Sequence, residues 1–177
     1  MLKVNQTTRE LFVYDTIGPS WAGMVGADDM IEALETLGPG DLTVRLNTPG
    51  GSVFDAIAMV ELLKSHSGKV DVRVDGLAAS AGTFFLESDF EVVAASNAML
   101  MIHDPLMMTY GNADQLRKDA DILDKVGSNV LDFYAERMTV EREKIAEMTA
   151  AETWFTAKEA LAVGLIDSIG AKSEGVE

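Results

Sequence analysis

A serine set among small residues, two histidines and no cysteine narrow the nucleophilic chemistry open to this 177-residue chain. The serine is Ser80, in Gly76-Leu77-Ala78-Ala79-Ser80-Ala81-Gly82, which follows a strand pattern and precedes an apolar run able to start a helix. At such a bend the free N–H groups of a helix start favour negative charge on a nearby oxygen, and small neighbours let a substrate approach closely. Tight helix packing produces the same composition, so this segment alone leaves both readings open. A nucleophilic serine needs a base, and the choice is His66 or His103. His66 lies in the polar stretch Lys64 to Lys69 and reads as a solvated loop residue. His103 ends the apolar run Met99-Leu100-Met101-Ile102, and Pro105 biases Asp104 towards an extended backbone. That puts His103 at the tip of a buried strand, where sites of layered α/β sheets gather; a satisfied core histidine is the competing reading. Asn47-Thr48-Pro49-Gly50-Gly51-Ser52 is a glycine-rich turn whose backbone N–H could face a developing oxyanion. It has neither the Gly-Lys-Ser/Thr ending of a P-loop nor a dinucleotide fingerprint.

Alternating and helical spacings supply the elements that would position these groups. Leu11 to Ile17 reads as a first strand, Asp29 to Leu37 as a helix stopped by Gly38-Pro39-Gly40, and Leu42, Val44 and Leu46 as a second strand. Val53, Ala56, Ile57, Val60 and Leu63 share one helical face, and Val70, Val72 and Val74 alternate as a third strand. Short apolar runs follow at Glu91 to Ala94 and Met99 to Ile102. Helical spacing then persists from Ala113 to Met138, an unusually long reach. Glu141 to Met148 is a further helix, Thr156 with Glu159 makes a capping box for one that stops at Gly164, and Leu165 to Ile169 reads as a closing strand. Strands alternating with helices predict an α/β layered domain with much parallel pairing. The length predicts one domain over 1–177, with a core from about 11 to 169 and short tails.

Composition removes other functions. Fourteen Lys and Arg against 29 Asp and Glu give a net charge of −15, which repels nucleic-acid backbones and anionic lipids. With no cysteine and two histidines 37 positions apart, no metal site is expected, nor any disulfide framework. Met1 to Glu10 is polar and no apolar stretch nears 20 residues, so neither a signal peptide nor a membrane span is expected, which fits a cytoplasmic protein.

Taken together, Leu46-Asn47-Thr48-Pro49-Gly50-Gly51-Ser52-Val53, then the segment Gly76 to Gly82, then Met101-Ile102-His103-Asp104-Pro105 resemble the three signatures of the Clp protease proteolytic subunit family. Glu159-Ala160 and Gly164-Leu165-Ile166-Asp167 fit the same pattern, and the resemblance runs from about Leu11 to Ile169. It implies a crotonase-like α/β fold of stacked β-β-α turns with a protruding long helix, Ala113 to Met138. It also implies a serine endopeptidase acting on protein or peptide substrates without a cofactor, assembled as a heptameric ring or stacked rings. Carried over by position, Ser80 is the nucleophile, His103 the base, and the backbone N–H groups of Gly51 and Ala81 form the oxyanion hole. The family's catalytic aspartate falls on Glu152, one methylene longer; Asp104 and Asp167 are rivals for that role.

Ala81 stands where housekeeping members usually carry methionine, a change that spares the backbone N–H. Only Met1 to Glu10 precede the first expected strand, whereas housekeeping subunits have a longer segment there that engages an ATP-driven unfoldase. With Trp21-Ala22-Gly23 and Glu152-Thr153-Trp154, this looks more like the Clp-related head maturation proteases of phages and prophages, which process scaffold or capsid precursors in the infected cell. The alternatives are a housekeeping proteolytic subunit working with an AAA+ ATPase, a catalytically silent ring scaffold, and a crotonase-type acyl-CoA enzyme.

Overall fold

Alternation of apolar and polar residues builds the sheet, and its consequences are visible in a computed structural model that describes residues 2–170. Strands β1 (Lys3–Asn5), β2 (Glu10–Val13), β3 (Leu42–Thr48), β4 (Val70–Ala79), β5 (Glu91–Ala95), β6 (Met99–Ile102), β7 (Thr153–Thr156) and β8 (Ser168–Gly170) join in one sheet. Helices α1 (Ala27–Leu37), α2 (Val53–Lys64), α3 (Ala113–Arg137), α4 (Arg142–Ala150) and α5 (Ala157–Ala162) complete the mixed α/β arrangement that the alternation predicts.

The sheet runs β1-β2-β3-β4-β5-β8, parallel throughout except for the antiparallel β1–β2 pair. Its ten-residue strand β4 forks: Asp71 to Val74 pair with β5, while Leu77 to Ala79 pair in parallel with β6. β6 then carries β7 antiparallel on its far side. Every second residue of β3 is buried (Leu42, Val44, Leu46, Thr48), and the apolar ones join Met30, Ala33 and Leu37 of α1 and Ala56, Met59, Val60 and Leu63 of α2 in the core. The alternate residues face outward and are tied by charge. Arg45 donates to Glu10 at 2.6 Å and twice to Asp75 at 2.7 Å, and Tyr14 donates to Asp75 at 2.5 Å. Partial burial, followed by that bond to Asp75, pushes the Tyr14 hydroxyl up to about 12.

Several boundaries differ from the sequence expectation. The first strand stops at Val13 because Asp15 turns its carboxylate onto the Thr16 N–H, and Ile17 resumes pairing by donating to Gly50 O and accepting from the Ser52 N–H. β1 and β7, three and four residues long, lie outside the expected set, being too short to carry a periodic signal. The closing strand begins at Ser168, since Leu165 and Ile166 are buried in the turn after Gly164, whose φ is +78°. Ile57 is 38% exposed despite its place in the α2 apolar pattern. The capping box forms as expected: Thr156 Oγ1 accepts from the Glu159 N–H and the Glu159 carboxylate accepts from the Thr156 N–H. Only Val130 and Tyr134 of α3 are buried, so its N-terminal half stands clear of the core.

Candidate active site

Three neighbouring parallel strands deliver the three sequence segments to one end of the sheet. β3 ends at Thr48 beside Ala78, and β4 runs beside β6 in the register Ala79 to Met101, so the residues after each strand emerge together. Carboxyl ends of parallel strands are where such sheets place their sites. Ser80 follows β4 directly and has a φ of +53°, a left-handed backbone that costs a non-glycine residue about 1 to 3 kcal/mol. Close packing holds the corner. A Cβ added to Gly50, whose φ is +90°, would lie 2.8 Å from both Ser80 Cβ and Ala81 N, so only glycine lets the two loops meet. The segment that follows is a 3-10 helix, Ser80–Phe85, in place of the expected α-helix start.

His103 is the residue after β6, whose Leu100 and Ile102 are fully buried and anchor the strand by about 1.5 to 3 kcal/mol each. Its Nε2 lies 2.7 Å from Ser80 Oγ. With the ring proton on Nδ1, Nε2 accepts the Ser80 hydroxyl proton, the arrangement a serine nucleophile and its base require. His66 is elsewhere, its Nε2 2.7 Å from Gly40 O. Gly51 and Ala81 line the same cavity, of about 210 Å³, together with Ser80, His103, Val53, Phe84, Leu106 and Tyr134 among others. The bonds between Ile17 and the Gly50–Ser52 turn use Gly50 O and the Ser52 N–H and leave the Gly51 N–H out. The Ala81 N–H sits in the first turn of the 3-10 helix, where amides have no partner within the helix.

The residue expected to serve as the acid is placed less completely. Antiparallel pairing of Ile102 with Thr153 makes Glu152 the next residue opposite His103. Yet the Glu152 side chain is exposed, its backbone is left-handed with φ +51°, and its carboxylate accepts from the Trp154 indole N–H at 3.3 Å rather than from His103. Asp167 is engaged elsewhere, accepting from the Val92 N–H at 2.7 Å and from Arg137 at 2.8 Å. Asp104 is absent from the lining of the Ser80 cavity: it lines another with Arg142 and Ser128, and its N–H donates to Thr149 O.

Two residues that support Ser80 escaped the sequence reading of the site. Buried Thr83 Oγ1 donates to Ser80 O at 2.6 Å and accepts from the Tyr134 hydroxyl of α3 at 2.6 Å. Full burial pushes the Tyr134 hydroxyl up to about 12. In the sequence Tyr134 is one more apolar position on a helix face; a hydroxyl on a stripe that otherwise buries apolar groups is the signal that could have found it.

Among the described residues, no helix is long and apolar enough to cross a membrane. Comparison with known proteins agrees with the geometry. One similar protein, the ATP-dependent Clp protease proteolytic subunit 2 of Cutibacterium acnes, is 31% identical over 131 residues, covering 73% of this chain and 62% of the relative, less than two thirds of its length. Another, the ATP-dependent Clp protease proteolytic subunit 1 of Protochlamydia amoebophila, is 28% identical over 178 residues, covering 96% of this chain and 84% of the relative. A family model described as Clp protease matches residues 4–173, and with the strand ends, the Ser80 corner and His103 arranged as they are, the chain belongs to the Clp protease family.

Proposed function

We propose that the chain is a serine endopeptidase in which Ser80 attacks a peptide carbonyl, His103 takes its proton and the N–H groups of Gly51 and Ala81 hold the oxyanion. The 2.7 Å approach of Ser80 Oγ to His103 Nε2 carries this reading. His103 returns the proton to the leaving amine, and water, deprotonated in turn by His103, releases the acyl-enzyme. In this reading Glu152 is the acid, which its position just before β7, one step beyond the Ile102–Thr153 pair, supports. Its carboxylate orients the imidazole once it turns from the Trp154 indole. The cavity beside Ser80 is walled by Val53, Phe84, Val130 and Leu106, which favours an apolar residue before the cut.

The working form in this proposal is a ring of subunits. The exposed half of α3 and the segment after β6 carry the uncovered apolar groups Leu106, Met108, Tyr110, Leu116 and Ile122 for contact between copies. Both relatives named above are called ATP-dependent proteolytic subunits, which favours an ATPase partner. The narrower reading, processing of phage scaffold or capsid precursors, rests on Trp21-Ala22-Gly23 and Glu152-Thr153-Trp154. Cleavage of an unfolded protein substrate by the purified chain without an ATPase separates the two.

The deciding experiment is intact-mass labelling with a fluorophosphonate. One adduct per subunit is expected, absent in Ser80→Ala, together with a loss of peptidase turnover on the order of 10⁶-fold in that variant. An intact oligomer that takes no label would instead mark a ring scaffold without chemistry.

A further inference from the structure

We infer that a second apolar cavity, adjoining the Ser80 pocket, is a substrate subsite that takes an apolar side chain two residues away from the one entering that pocket. The inference rests on the peptidase reading and deepens it. The second cavity, about 150 Å³, lies between α2 and α3 and is lined by Phe54, Ile57, Val126 and Phe133. It shares Val53, Phe84 and Val130 with the cavity holding Ser80 and His103, so the two are neighbours across one layer of side chains.

Strand geometry explains why the pair forms a unit. In an extended peptide, side chains two residues apart point the same way and sit about 7 Å from each other. Two apolar hollows with a common wall therefore match residues i and i+2 of one bound strand. An apolar cavity of about this volume accepts a benzene-sized group, which suits Leu or Phe. The exposed state of the lining agrees with a role in binding: Phe54 is 68% and Ile57 38% accessible on a helix whose opposite face is sealed in the core.

Charge adds a second selection. Glu61 and Glu87 also line this cavity, and Glu87 is already held by Lys64 Nζ at 3.3 Å and by the Ser88 N–H at 2.8 Å. Their carboxylates disfavour an acidic side chain at this position.

The test uses the full chain and quenched peptides that carry Leu at the cleaved residue. The positions two residues before and two residues after that leucine are varied among Phe, Leu, Ser and Asp. At one of these two positions kcat/KM is expected to favour Phe or Leu over Ser by about tenfold or more, with Asp worst. Ile57→Asp, on the exposed face of α2, and Asn129→Trp, which fills the cavity, should each abolish that preference. Both should keep the choice at the cleaved residue and one-to-one fluorophosphonate labelling. A wild type that is labelled and cleaves without preference at either position overturns the subsite and leaves the peptidase reading standing, as do variants that fold and retain the preference. Failure of wild type to label or cleave removes the peptidase reading, and the subsite with it.

Discussion

Ser80 keeps its left-handed backbone because neighbours on every side determine it: Gly50 from one loop, Thr83 on its carbonyl, and Tyr134 behind Thr83. Tyr134→Phe removes the donor at the far end of that relay and leaves the rest of the ring packed. Its expected cost is about 1 to 2 kcal/mol in urea unfolding. A several-fold fall in kcat for an apolar peptide should accompany it, with labelling of Ser80 slowed but still complete. At this scale the sequence is informative where a residue type is chemically rare. Two histidines and no cysteine leave little choice of base, but residue type alone leaves both the Ser80 segment and His103 open to structural readings, and it is the resemblance to the family's signatures that makes the two stand out. Thr83 and Tyr134 do not, because a hydroxyl acting on a backbone carbonyl leaves no mark in spacing. Glu152 is found by counting within a family pattern, and the strand register explains its place while the Trp154 bond explains the present direction of its carboxylate.

Among the elements, the strand ends matter most, and Asp167 fastens one of them. It joins the start of β5 through the Val92 N–H to the end of α3 through Arg137, whose side chain is only 6% exposed. Burial alone would raise the Asp167 carboxyl, but the bonds from Arg137 and Val92 outweigh it and hold it below its ordinary 3.8. A depressed carboxyl stabilises the fold above its unfolded value, and the contribution is lost as pH falls through the folded value. Asp167→Asn should therefore reduce stability by about 1 kcal/mol at neutral pH. Chemical denaturation from neutral pH into the acid range should show wild type and variant converging only below the ordinary carboxylate range. Long elements are legible because periodicity accumulates: α1, α2, α3 and the body of β3 fall close to where the spacing puts them. β1, β7 and the true start of β8 are hidden because three or four residues carry no reliable period, and their pairing is decided by partners far along the chain. The fork of β4 is equally invisible, since one run of alternating residues does not say that its two halves pair with different strands.

For the whole molecule, the apolar groups left uncovered on α3 and on the segment after β6 set the behaviour of the isolated subunit. If copies of the chain cover them, folding is coupled to assembly and the melting temperature must depend on concentration. A rise in Tm over a large increase in protein concentration, with light scattering giving a mass well above the 19.1 kDa of one subunit, is the expected result. The forked strand has a different consequence. Because β4 is both the middle of the core and the support of Ser80, the reactive corner cannot melt on its own while the sheet survives. Ser80 therefore belongs to a well-protected part of the fold, whereas the segment from Asp104 to Asn112, outside any helix or strand, is among the least protected of the described residues. In the proposed peptidase, adaptation to different substrates then falls to that segment and to the walls of the pockets, while the Ser80 corner stays as durable as the fold itself.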